Sequence, residues 1–397
     1  MLFVKIISSY KFTFKYIDML YRYLCFIMLV MIFISTNLFA QEISKGKSKI
    51  KQNTSVVNLK NGTARLSIDT HGGAIVGFTM DSMSINPYSW KLNIDQMPQN
   101  NKYGAVFQGH FLCLGRWGAP TLGEMKAGVP HNGQSVCDYW IIDSLFTGSR
   151  LIMSSKAPLD GILIKRTVWI DRLSPVFKVT ENVKNTNSVG RLFNIVQHAT
   201  IGSPFLDSTT IINTNAKEGF MQTMSFPNPT AFEYSWPIGF VDSTKTMLDL
   251  TKSSMHYSYV STHIFADSIG WVTASSPKNG LLIGYIWKTS DYPWINIWNQ
   301  VVDGKLWAKG LEFGTTGIGK SYQDLLSVDT RFHGRSSFFF LDATDTVEKS
   351  YIGFQLKIPS DFSNVSKVTF KDGVISIIEK NKTRNYILTI PSLFELM

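Results

Sequence analysis

Two residues of the 397-residue chain carry the clearest chemical signal, Glu312 and His198. Glu312 stands between Leu311 and Phe313 in a segment with strand character, just before Gly314-Thr315-Thr316-Gly317. A carboxylate shielded by apolar neighbours has a raised pKa, which suits a general base working near neutrality. The structural alternative is an exposed strand residue, or one paired with Lys309 or Lys320. His198 follows Asn194-Ile195-Val196-Gln197, and strand alternation puts it on the face of Asn194 and Val196. An imidazole titrates near the working pH and can protonate a substrate oxygen. Its alternative is a partly buried histidine bonded to backbone.

Other segments break the strand pattern with closely spaced polar and aromatic residues. They are Phe107–Thr121 with Val129–Gln134, Val196–Asp207, and Ile297–Gln300 with Gly310–Gly317. Arg116 and Trp117, and the trio Trp287, Trp294 and Trp298, suggest sugar contacts. An indole face packs on the C–H face of a pyranose, and a guanidinium grips hydroxyls. For each tryptophan the alternative is plain core. His110 and His131 lie far apart in sequence, and neither HxH nor HExxH occurs, so no metal ligand set is expected. A serine elbow, a P-loop and a dinucleotide fingerprint are missing as well.

The elements that must position these residues read as strands. Thr63–Asp69, Gly161–Asp171 and Val176–Val183 alternate apolar and polar residues. Gly270–Ala274, Gly280–Trp287, Phe338–Leu341, Val368–Phe370, Val374–Ile378 and Asn385–Ile390 are short, rich in β-branched and aromatic residues, and bounded by turn formers. The last three, joined through Lys371-Asp372-Gly373 and Lys380–Arg384, suggest a closing meander. Sustained helical periodicity is lacking, and no linker divides residues 56–397. The expected fold is all-β: one domain built as a large two-sheet sandwich.

Composition sets the class. An aromatic share of 13% with only 17% charged residues excludes intrinsic disorder. The formal charge of +10 is no nucleic-acid signal. Lys5, Lys11, Lys15 and Arg22 against Asp18 carry three of those charges, and the rest are scattered apart from Lys45–Lys51. Arg22, the apolar run Leu24–Ile34 and the small Ala40 before Gln41 read as a secretory signal over residues 1–40. That run is too short for a comfortable membrane span. A flexible segment over 41–55 follows, and the product is expected in a periplasm or outside the cell, with no membrane span after cleavage. Cys113 and Cys137 then remain, either paired in an oxidising compartment or as two free thiols.

Taken together, these segments resemble the galactose mutarotase-like superfamily, the aldose 1-epimerases and their relatives. Asp69-Thr-His-Gly-Gly-Ala-Ile-Val-Gly-Phe78, followed by Ile85-Asn-Pro-Tyr-Ser-Trp90, looks like that family's first strands. Gln197-His198-Ala-Thr-Ile-Gly202 stands in the place of its His motif, and Gly310-Leu-Glu312-Phe-Gly-Thr-Thr-Gly317 in that of its late Glu motif. The resemblance implies a β-supersandwich that works without cofactor or metal. It implies that Glu312 deprotonates the anomeric hydroxyl while His198 protonates the ring oxygen. For substrate binding it implies Arg116 or His110 in the place of an early arginine, beside Trp117 and Trp298. The family's upstream His-Gly motif reads Pro130-His131-Asn132-Gly133 here, which sets Asn132 in the histidine's place; in a strand, a one-residue shift changes the face. Lys309 stands where an arginine is expected. As partner the resemblance implies a small sugar or oligosaccharide. The rival readings are a non-catalytic carbohydrate-binding protein on the same scaffold, and a lyase or hydrolase. A hydrolase needs a second carboxylate, for which Asp207, Glu218 and Asp291 are candidates.

Overall fold

The computed structural model describes residues 55–92, 104–146, 148–222, 232–242, 244–381 and 384–390. The expected leader over residues 1–40, and the flexible segment as far as residue 54, lie outside the described residues. The site and the strands that carry it belong to one compact unit, Lys51–Ser144 with Gly148–Met397.

The β-branched and aromatic runs form strands with little change of boundary. They include Ala64–Asp69, Ile162–Ile170, Val176–Asn185, Ile269–Ser276 and Leu281–Lys288. Two large antiparallel sheets result, one of ten strands and one of eight. The centre of the ten-stranded sheet runs in the order His110–Leu114, Ile195–Ile201, Lys305–Gly314, Trp294–Val302, Tyr259–Ile264. The centre of the eight-stranded sheet is Leu281–Lys288, Thr346–Lys357, Val176–Asn185 and Ile162–Ile170.

Side chains from the facing sides of the two sheets interlock to make the main core. Phe313 of the ten-stranded sheet stacks on Trp287 of the other, with centroids 4.3 Å apart and planes within 10°. Phe78 meets Phe177 edge to face at 5.0 Å. Each such fully buried aromatic contributes roughly 1.5–3 kcal/mol relative to exposure.

The closing meander forms as expected from Val365–Lys371, Val374–Glu379 and Asn385–Thr389. Asp372 and Gly373 take φ values of 49° and 72°, the left-handed pair that a two-residue hairpin turn requires. This small sheet makes a third layer. Its Val365, Val368, Ile375 and Ile377 pack on Trp271, Leu282, Ile286 and Ile352, on the side of the eight-stranded sheet away from the main core. Strands so covered on both faces are apolar almost throughout, which explains the unbroken run Leu281-Leu-Ile-Gly-Tyr-Ile-Trp287. Cys113 and Cys137 are free thiols. No helix among the described residues is long and apolar enough to cross a membrane.

Candidate active site

Strand register brings His198 and Glu312 together. They are direct cross-strand partners on neighbouring antiparallel strands, so their side chains leave the sheet on one face. The row continues through Phe111 on one side and through Asn296 and Thr262 on the other. A second row on that face holds Thr200, Gly310, Trp298 and Val260. Residues between the rows turn into the main core.

His198 Nε2 lies 3.1 Å from Glu312 Oε1. Its Nδ1 lies 2.9 Å from Thr200 Oγ1. The ring stacks on Phe111 with centroids 4.1 Å apart and meets Trp298 edge-on at 5.7 Å. Burial lowers the His198 pKa to about 3 and drives the Glu312 carboxyl well above the usual carboxylate range. Both shifts have the same main cause: a charge here is cut off from water. The resting pair is a neutral acid against a neutral imidazole. Glu312 Oε2 has no hydrogen-bond partner among the described residues.

Above His198 opens a cavity of about 350 Å³. Its walls are Trp90, Phe107, Phe111, Trp298 and Trp307, and its polar lining comes from His131, Asn132, His198 and Gln300. Trp90 meets Trp307 at 5.3 Å and Trp298 at 5.7 Å, both edge to face, so the indoles brace one another. Gln300 Oε1 accepts the Trp298 indole N–H at 3.2 Å and fixes that ring. Trp307 owes its place to a β-bulge. Gln300 pairs with Ala308 and Val301 with Leu306, which leaves Trp307 as the extra residue and re-aims it.

The Pro130–Gly133 stretch is a turn and not a strand, so the one-residue shift does not put His131 and Asn132 on opposite faces. Asn132 has φ 62° and Gly133 φ 87°. A Cβ on Gly133 would stand 1.8 Å from Leu114 O, so only glycine lets the turn press on the His110 strand. Asn132 Oδ1 accepts the Gly118 N–H at 2.7 Å. Both His131 and Asn132 thereby line the cavity. Burial lowers the His131 pKa to about 4.

Five expected sugar contacts do not line this cavity. His110 is one residue from Phe111 and therefore points to the other face, into the main core. There it meets Gln197 Oε1 through Nε2 at 3.2 Å and Tyr285 OH through Nδ1 at 3.0 Å. Arg116 is buried in a bidentate pair with Glu124, 2.9 and 3.0 Å, and reaches Asp160 at 3.4 Å. Glu124 also closes the capping box of the short helix Leu122–Lys126. Arg116 thus clamps the loop behind the site. Trp117 packs in the aromatic cluster around the cavity but does not line it. Trp287 and Trp294 are core residues. Lys309 faces away from Glu312, with Nζ bonded to Tyr259 OH at 2.9 Å and Asn299 Oδ1 at 3.2 Å, and burial lowers its pKa to about 7. Asp207, Glu218 and Asp291 do not line the cavity.

Behind the strands of His198 and Glu312 sits a buried polar network. Gln197, next to His198, donates to Glu181 Oε2 at 2.6 Å. Glu181 Oε1 accepts from Arg166 Nε at 2.8 Å and Nη2 at 2.6 Å. The His198 strand is anchored from its core side by this chain of bonds. Among the described residues, no group of three or more His, Cys, Asp or Glu is placed to hold a metal ion.

No protein-family model matches the chain, and no curated protein is similar to it in sequence. Solved structures are similar in fold. A galactose mutarotase related enzyme from Lactobacillus acidophilus aligns with a TM-score of 0.56 at 10% identity, over 77% of this chain and 98% of the other. A galactose mutarotase-like protein from Clostridium acetobutylicum gives 0.54 at 13%, over 79% and 98%. A third, from Lactobacillus casei, gives 0.51 at 13%, over 76% and 100%. Two facing sheets, with a His and a Glu opposed on one outer face, thus sit in a known architecture: the chain has the galactose mutarotase-like fold.

Proposed function

We propose that the chain binds a free sugar above His198 and interconverts its anomers, an aldose 1-epimerase reaction. The observation that carries this reading is the His198–Glu312 pair, held at 3.1 Å on adjoining strands beneath an aromatic-walled cavity. Ring opening needs one proton taken from the anomeric hydroxyl and one given to the ring oxygen. The pair supplies both. The Glu312 proton passes along the 3.1 Å contact to His198 Nε2. Nε2 gives it to the ring oxygen as the C1–O5 bond breaks. The Glu312 carboxylate takes the anomeric proton as the C1–O1 double bond forms, and the pair ends with one proton, as it began. Rotation about C1–C2 and closure from the other face yield the opposite anomer. Each group contributes roughly 10²–10⁴-fold in rate. The indoles of Trp298 and Trp307 offer faces to the sugar's C–H surface, while Asn132 and Gln300 offer polar contacts. The names of the fold's relatives support the same chemistry.

One observation favours a second reading, a protein that only binds sugar. Glu312 is 1% exposed and does not line the cavity, because His198 lies over it. Turnover requires substrate to draw His198 aside far enough for Oε2 to meet the anomeric hydroxyl. Anomer-exchange NMR on a panel of aldoses, with Glu312→Gln beside the unaltered protein, separates the two. Acceleration lost in the variant is the expected result. Saturable ligand shifts without acceleration would leave the binding reading standing.

The proposal includes export, on the leader expected over residues 1–40. N-terminal sequencing of the mature protein tests it, and a start at Gln41 is expected.

A further inference from the structure

The His198 imidazole stands between two oxygens, and only one of them belongs to the proton exchange proposed above. Nδ1 faces Thr200 Oγ1 at 2.9 Å. Thr200 lies two residues along the same strand, so both side chains share a face, and it is fully buried. Its hydroxyl has an acceptor of its own in the His198 carbonyl oxygen, 3.4 Å away, and donating there leaves an oxygen lone pair for the ring. The hydrogen bond made by one imidazole nitrogen decides which nitrogen carries the proton.

We infer that Thr200 fixes His198 in the Nδ1–H tautomer, so that a single proton is shared between Nε2 and Glu312. Thr200 is a positioning residue: it touches no substrate and acts through the ring. The opposite neutral tautomer would aim Nε2–H at Glu312 Oε1. It would then leave Glu312 either ionised at a site 1% exposed or with its proton on Oε2, which has no hydrogen-bond partner among the described residues. With Nδ1–H held on Thr200, the pair is neutral overall and its one proton is free to move along the 3.1 Å contact. The catalytic meaning of this arrangement rests on the epimerase reading; the tautomer does not.

The test is long-range ¹H–¹⁵N correlation on imidazole-labelled protein without sugar. His198 signals are identified by their loss in His198→Asn. A protonated-type Nδ1 shift in the unaltered protein, kept in Thr200→Ser and lost in Thr200→Val, is the expected result. An unprotonated-type Nδ1 in the unaltered protein overturns the inference directly, even if Thr200→Val fails to fold. A protonated Nδ1 that persists in folded Thr200→Val overturns it too, since another acceptor must then hold the ring. Anomer exchange on the same samples keeps the readings apart. The expected tautomer without sugar turnover sinks the epimerase reading and leaves the role of Thr200 intact. Turnover with the wrong tautomer does the reverse. Where turnover is present, Thr200→Val lowers kcat with KM unchanged, and Thr200→Ser restores it.

Discussion

Gly310 holds open the space into which the Glu312 carboxylate folds. A Cβ on residue 310 would stand 2.5 Å from Glu312 Oε1 and 3.1 Å from Trp298 Cβ. The two residues are neighbours on one face of one strand, since alternation returns to the same side every second position. Glu312 therefore leans back along its own strand toward the row that carries Trp298 and Thr200, the direction in which His198 also leans. The missing side chain at 310 is what lets the acid and the imidazole meet.

Gly310→Ala should consequently act on chemistry more than on folding. The clashing atom is the far end of a flexible side chain, so the carboxylate moves and the backbone stays. A misplacement of about 1 Å costs roughly 10²-fold in rate. The expected outcome is a folded protein whose anomer exchange drops by that order, while sugar affinity changes little. Unchanged kcat in this variant would show that the carboxylate position does not limit the reaction.

Trp307 and Trp117 make a paired test of the cavity wall. Trp307 lines the cavity and Trp117 does not, although both belong to the same aromatic cluster. Loss of a stacking indole costs about 1–2 kcal/mol, or roughly tenfold in Kd. Titration of the sugar by fluorescence or NMR should show that weakening for Trp307→Ala. Trp117→Phe should bind as the unaltered protein does. If the two effects were reversed, the binding surface would lie nearer the Arg116 loop.

Acid should destabilise the fold well above the range in which most carboxylates titrate. His110 and His263 are fully buried, and burial lowers their pKa values to about 3 and about 4, from 6.5 for the ordinary residue. Below pH 6.5 the unfolded chain takes up a proton at each histidine while the folded chain stays neutral. The contribution of these two histidines is thus complete above pH 6.5 and is lost as pH drops toward 4, while the Glu312 carboxyl, kept protonated by burial, works in the opposite direction over part of that range. The slope is about 1.4 kcal/mol per pH unit for each histidine once the unfolded residue is largely protonated. Urea unfolding between pH 7 and pH 5 should show it, and His263→Asn should remove one histidine's share. An unfolding free energy that stays flat over that interval would contradict the neutral, buried state of both rings.

Much of this molecule was legible from sequence, and what was hidden had local causes. Alternation and β-branched runs placed the strands, and turn residues such as Asp372-Gly373 placed the hairpin of the closing meander. Parity within a strand also contained more than the motifs suggested. Phe111 faces the cavity, so His110 must face the core, and its polarity is spent on Gln197 and Tyr285. Trp307 was invisible because a bulge breaks the alternation from which its direction would be read. His131 was passed over beside Asn132 because a turn, with left-handed Asn132, replaced the strand assumed there and brings both to the cavity lining. Arg116 looked like a sugar contact because nothing in its own segment shows that Glu124 and Asp160 enclose it. Register between distant strands is what sequence lacks, and the His198–Glu312 pair is a matter of register.

The anchor behind the His198 strand yields the last prediction. Glu181 is fully buried and serves three partners: Arg166 through Oε1, and Gln197 and, at 3.4 Å, the Tyr292 hydroxyl through Oε2. Glu181→Ala strands the Arg166 guanidinium, 2% exposed, whose remaining polar contact includes the Gly73 carbonyl at 2.5 Å. Breaking a buried pair by removing one partner costs about 3–5 kcal/mol, because the charge that stays behind is uncompensated. Removing both charges costs far less, so Glu181→Leu with Arg166→Met should recover much of the loss. Urea unfolding of the single and double variants measures this coupling. Gln197 loses its 2.6 Å bond in both variants, so the double variant also isolates the anchor from the charge. If it regains stability but its anomer exchange stays low, the network serves to hold the His198 strand in register with Glu312. If it regains both, the network is a device of the core alone.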